Sequence, residues 1–202
     1  MTEGRPKSLF LDLPGVLLRD PWAELANSLA GPTDHDPERL RAAISAHTRP
    51  FEVGVTSIDA FCRSVSLAVG SAVPPTEIQA LLLGPCLSEY PDNRRRVAEV
   101  RERLGIRVIA VANLPAEIAR EADHRFGLGK ILDGAVISHR FGIALPNPQI
   151  FIEALSVAGT PPSECVFIGG RVEDVRAANG WGIVGRHLPR PDGLAEVLSG
   201  LD

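Results

Sequence analysis

Phe10-Leu11-Asp12-Leu13-Pro14-Gly15-Val16-Leu17 is the stretch on which the fold turns. The apolar run Ser8–Leu11 stops at a carboxylate, Asp12, and a Pro14-Gly15 turn signal follows at once. A buried strand that runs into a loop fits this pattern. The same shape recurs at Ile106–Val111, which ends at Ala112-Asn113, and at Cys165–Ile168, which ends at Gly169-Gly170. A shorter version, Ala135–Ile137, ends at Ser138. Each run is continuous rather than alternating, as strands covered on both faces must be. Helical patterns follow at Pro115–Phe126, Pro148–Ala158, Val172–Asn179 and Gly193–Leu201. Strand, loop and helix repeated in this way predict a doubly wound α/β fold with a parallel sheet. Ligands of such sheets bind beyond the carboxyl ends of the strands, where Asp12, Asn113, Ser138, Gly169 and Gly170 fall.

Residues 20–104 have a different texture. Helical stretches occur at Trp22–Leu29, Pro37–His47, Ser57–Val69, Thr76–Leu83 and Asn93–Leu104. Gly31-Pro32, Arg49-Pro50, Pro74-Pro75 and Gly84-Pro85 are the expected breaks between them, and no buried strand is evident. An all-helical block between the first two strands of a parallel sheet reads as a lid over the ligand edge. The expected division is a core of 1–19 and 105–202 and a helical cap of 20–104.

The chain has 202 residues, 45% hydrophobic and 23% charged, with a net charge of -4, which suits one core plus a small inserted unit. That acidic balance argues against a nucleic-acid partner. Three cysteines, Cys62, Cys86 and Cys165, lie far apart in apolar stretches without Cys/His clustering, so neither structural zinc nor a disulfide framework is expected. The apolar run after Lys7 is too short for a membrane span or a signal peptide, and a cytoplasmic protein is expected. Lys7 and Lys130 are the sole lysines among 21 basic residues.

The opening stretch resembles the first motif, hhhDxDG, of the haloacid dehalogenase (HAD) superfamily. Val108–Asn113 resembles the second motif, a strand ending in Ser/Thr-Asn. Gly142-Ile143-Ala144-Leu145-Pro146-Asn147-Pro148-Gln149-Ile150-Phe151 resembles the third, GxxKPDPxIF. Val166–Asp174 resembles the fourth, hhhGDxxxD, and Ala177–Gly182 continues in the same style. Phe51-Glu52-Val53-Gly54-Val55-Thr56-Ser57 is similar to a segment of the family's C1 caps, with Ser57 and Asp59 marking a helix start. The resemblance implies a HAD-like Rossmannoid fold, a three-layer parallel sheet with an inserted helical C1 cap.

It also implies roles for particular positions, and several are vacated. Asp12 stands where the family has its nucleophile. Pro14 replaces the aspartate that exchanges a proton with the leaving group, a loss worth on the order of 10²–10⁴ in rate. Ala112 replaces the second motif's hydroxyl, and Asn113 beside it is kept. Leu145 replaces the lysine that offsets charge between nucleophile and phosphate. Gly170 replaces the leading acid of the fourth motif, a magnesium ligand, while Asp174 keeps the later acidic position.

These substitutions predict a degenerate member that is not a Mg-dependent phosphatase. Asp12 is its candidate nucleophile or acid/base. Asn113, Ser138, Gly169, Gly170, Arg171 and Asp174 are candidate ligand contacts, with no metal and no cofactor. The expected partner is a small molecule held between core and cap. Two alternatives stand beside this. One is a metal-independent, dehalogenase-like hydrolase acting through Asp12, since that branch also lacks the second aspartate and the acidic pair. The other is a weak phosphatase with recruited ligands. Arg140 is a lesser anion-binding candidate, Lys130 lies in a region that the resemblance places at a distance from Asp12, and His124 and His139 read as surface or helix-end residues.

Overall fold

The computed structural model describes residues 5–33 and 36–201. The chain opens with strand β1 (Ser8–Leu11) and continues through α1 (Pro21–Thr33), α2 (Pro37–Glu52), α3 (Ile58–Ala68), α4 (Pro75–Leu83) and α5 (Pro91–Leu104). Strand β2 (Arg107–Ala112) follows, then α6 (Ala116–Phe126), β3 (Gly134–Ile137), α7 (Ser138–Phe141) and α8 (Gln149–Ala158). The last elements are β4 (Cys165–Gly169), α9 (Val172–Gly180), β5 (Val184–His187) and α10 (Leu194–Ser199).

The five strands form one parallel sheet in the order β3-β2-β1-β4-β5. This is the HAD-like Rossmannoid α/β architecture. Strand side chains alternate between two apolar layers. Leu9, Leu11, Val108, Ala110, Val166 and Ile168 enter one, with residues of α1–α6 and α10. Phe10, Ile109, Val111, Cys165 and Phe167 enter the other, with Ile150, Phe151 and Ala154 of α8 and Val175 and Ala178 of α9. Helices on both faces explain why the central strands are apolar throughout. β1 lies in the middle, paired with β2 and β4, so Asp12 emerges at the centre of the sheet's carboxyl edge.

Two expected breaks are not breaks. α1 continues through Gly31-Pro32, and α2 runs through Arg49-Pro50 to Glu52. A proline inside a helix costs about 3 kcal/mol. In α2 that cost is offset by aromatic packing, because Phe51 stacks on Phe61 at 4.7 Å and meets Trp22 edge-on at 6.1 Å. Strand β5 carries no continuous apolar run and was not expected. As an edge strand with a single neighbour, it is only partly covered. All three cysteines are buried and free. No helix of the described residues is long and apolar enough to cross a membrane.

Candidate functional site

Asp12 extends β1 by one residue, its N–H donating to the Ile168 carbonyl at 3.0 Å. Its side chain turns into a cavity of about 230 Å³ at the carboxyl edge of the sheet. The Leu13 N–H donates to Asp12 Oδ1 at 2.8 Å and fixes the carboxyl group, which is 6% exposed. Burial, then the neighbouring Asp174 carboxylate, push its pKa well above the ordinary aspartate range.

Two adjacent glycines shape this edge for different reasons. A Cβ on Gly169 would lie 2.8 Å from the Phe167 ring and 3.8 Å from the Asp12 Cβ, so β4 needs glycine there. A Cβ on Gly170 would meet only the Leu188 carbonyl at 3.7 Å, an ordinary contact. Gly170 therefore leaves room where the family's acid would stand.

Asp174 sits in the first turn of α9 and is 1% exposed. Its Oδ1 has no hydrogen-bond partner among the described residues, and its Oδ2 lies 3.9 Å from Arg171 Nε. Burial raises its pKa to about 6 against the pull of Arg171. Arg171 itself donates from Nε to Glu173 Oε1 at 2.7 Å.

The opposite wall is supplied by α1 and α2. Trp22 and Glu52 line the cavity, and Trp22 Nε1 donates to Glu52 Oε1 at 3.1 Å. Burial raises the Glu52 pKa to about 7, while Arg49, 3.6 Å away, pulls it down. Asp20, which caps the start of α1 through the Trp22 N–H, lines the same cavity. Sequence reading missed these three residues. The usable signal was Glu52 inside the cap segment, an acid at a helix end flanked by apolar residues.

Among the expected contacts, Asp12, Asn113, Gly170, Arg171 and Asp174 come together around the cavity. Ser138 and Gly169 stand behind its wall. Ser138 is fully buried, donating from Oγ to the Glu52 carbonyl at 2.5 Å and accepting from the Leu114 N–H at 3.1 Å. Asn113 lines the cavity, yet its amide is committed. Nδ2 donates to the Leu145 carbonyl at 2.9 Å, and Oδ1 accepts from the Leu145 N–H at 2.8 Å. The Leu145 side chain is fully buried in the α8 layer.

A larger hollow of about 730 Å³ runs beside α6 and β3 and includes Arg140. Its acids are committed elsewhere, Asp133 to Arg101 and Asp123 to the Gly129 N–H. Neither Asp12 nor Asp174 lines it, whereas both line the smaller cavity.

Magnesium, which the fold family implies, asks for near-octahedral oxygen ligands at short range. No group of three His, Cys, Asp or Glu side chains is arranged to hold a metal among the described residues, and Gly170 supplies no carboxylate. Asp12 and Asp174 remain at the motif positions, but without an acid at position 170 or a charge-offsetting lysine at position 145 the residues present fit a magnesium-phosphate pair poorly.

A family model for haloacid dehalogenase-like hydrolases matches residues 7–182. Among characterised proteins, a glyceraldehyde 3-phosphate phosphatase of Methanopyrus kandleri is 37% identical over 99 residues, covering 48% of this chain and 42% of that protein. The chain thus spans less than half the length of that relative. A sesquiterpene phosphatase of Aspergillus oryzae is 26% identical over 95% of this chain and 93% of its own length. Among solved structures, a HAD-like family hydrolase of Porphyromonas gingivalis superposes with a TM-score of 0.77 at 19% identity, covering 98% of each chain.

Proposed function

We propose that this chain, which belongs to the haloacid dehalogenase-like hydrolases, uses the family cleft to bind a small molecule and does not perform Mg-dependent phosphoryl transfer. The observation that carries this is the charge of the cleft. Asp12, Asp20, Glu52 and Asp174 line it with Arg171 as the one cation among its lining residues. A phosphate dianion placed there meets carboxylates without the lysine or metal that would offset them. Each like-charge approach at 4 Å costs about 4 kcal/mol at an effective dielectric near 20.

The proton chemistry agrees. Pro14 has no proton to exchange with a leaving group. Burial and the neighbouring Asp174 both disfavour the charged form of Asp12 that a nucleophile needs. Residues 20–104, which carry helices α1–α5, act as the cap in this reading, with Trp22 and Glu52 lining the cavity at the sheet edge.

The named relatives are phosphatases, which makes the decisive experiment direct. Hydrolysis of p-nitrophenyl phosphate with MgCl₂ is expected to be no faster than with the Asp12→Asn variant. A Mg-dependent rate that disappears in Asp12→Asn overturns the proposal. Covalent mass gained on Asp12 during turnover of a 2-haloacid, without metal, would instead establish the dehalogenase-like alternative.

A further inference from the structure

We infer that the cleft selects a small ligand bearing a positively charged nitrogen, seated between Asp12, Asp174 and the indole of Trp22. The inference deepens the proposal above and rests on its premise that the cleft binds a small molecule. Three independent observations converge on this one place.

The first is the excess of carboxylates around the cavity. The second is Asp174 Oδ1. A carboxylate oxygen with no donor, on a side chain 1% exposed, is costly to leave unmet, and it belongs to a residue that lines the cavity. The third is Trp22, since an indole is the best aromatic partner for a cation. Its Nε1–H is already spent on Glu52, so no further donor from that ring is offered to an anion.

The same groups discriminate between cations. Magnesium holds its octahedral shell at short range and gives up water reluctantly, and glycine at position 170 removes a carboxylate that could replace one of those waters. An alkylammonium needs only two or three acceptors and an apolar or aromatic surface for its carbon atoms. Arg171 opposes such a ligand, but its guanidinium is drawn aside to Glu173 and lies at the partly exposed rim. A volume of about 230 Å³ admits an amine of a few heavy atoms and excludes a drug-sized one.

Calorimetric titration of the full chain at constant ionic strength tests this with n-propylammonium chloride, sodium propionate, sodium phosphate and MgCl₂. Saturable binding is expected for propylammonium and for none of the others. Asp174→Asn is expected to weaken it about tenfold or more, the effect of losing a charged hydrogen-bond partner. Trp22→Leu should weaken it less. Arg171→Gln, at an exposed position, should tighten binding severalfold and keeps the test open if Asp174→Asn fails to fold. Binding of phosphate or MgCl₂ in place of propylammonium overturns the inference. So does silence from every probe, which leaves the absence of phosphatase turnover standing. Mg-dependent hydrolysis in the assay above overturns the premise itself.

Discussion

The two halves of the sheet's carboxyl edge handle their polar groups in opposite ways. On the β2–β3 side, Asn113 is tied to the Leu145 backbone, and Ser138 to the Leu114 N–H and the Glu52 carbonyl. On the β1–β4 side, Asp12 and Asp174 are buried, and Asp174 Oδ1 has no hydrogen-bond partner among the described residues. The first half spends its polar groups on the fold, and the second leaves one carboxylate oxygen unspent. A motif position that keeps its polar residue is therefore not evidence of chemistry until its partners are counted.

The largest expected effect breaks the scaffold half. Asn113→Ala removes two hydrogen bonds to the Leu145 backbone and leaves both groups short of partners, costing about 2–4 kcal/mol. Urea unfolding checks this, and a change below 1 kcal/mol would mean that the pair is not structural.

Next in size is a contrast within the other half. Gly169→Ala forces a methyl into the Phe167 ring, which is itself packed edge-on against Phe151 at 5.1 Å. Overpacking of this kind costs about 1–3 kcal/mol. Gly170→Ala should change stability by less than about 0.5 kcal/mol, as an uncrowded position does. Equal losses from the two would show that position 170 is also sterically closed.

The smallest effect depends on pH. The folded Asp174 pKa of about 6 lies above its ordinary 3.8, so the native state binds protons more tightly than the unfolded chain. Stability from that group is fully present below pH 4 and is lost as pH rises through about 6. Asp174→Asn escapes this loss and should be more stable than the parent at pH 8, with little difference near pH 4. Thermal melts at the two pH values decide it. The same substitution is expected to abolish most amine binding, so stability and ligand capture pull in opposite directions at this residue.

Much of this was legible before any coordinates. The runs at Ser8–Leu11 and Cys165–Ile168 are readable because both faces of the central strands are covered, which leaves no polar position to confuse the pattern. Val184–His187 was not, because the partly covered edge strand tolerates Gly185, Arg186 and His187. Pro50 misled because a local rule lost to the aromatic cluster of Trp22, Phe51 and Phe61. Ser138 sat at the right strand end, yet its hydroxyl is consumed by Glu52 and Leu114.

The sequence by itself determined the order of the main elements, the place of Asp12 at a strand's carboxyl end and the replacement of family residues by Pro14, Leu145 and Gly170. Each of these is a property of one position or of a local period. Tertiary structure alone decided that Trp22 and Glu52, from helices inserted after β1, face Asp174 from the last third of the chain. It also decided that Asp174 Oδ1 lacks a donor among the described residues while the Asn113 amide bonds both ends of the Leu145 backbone. Burial, hydrogen-bond satisfaction and the net charge of a cavity are sums over groups far apart in sequence, and only folding brings those groups within reach of one another.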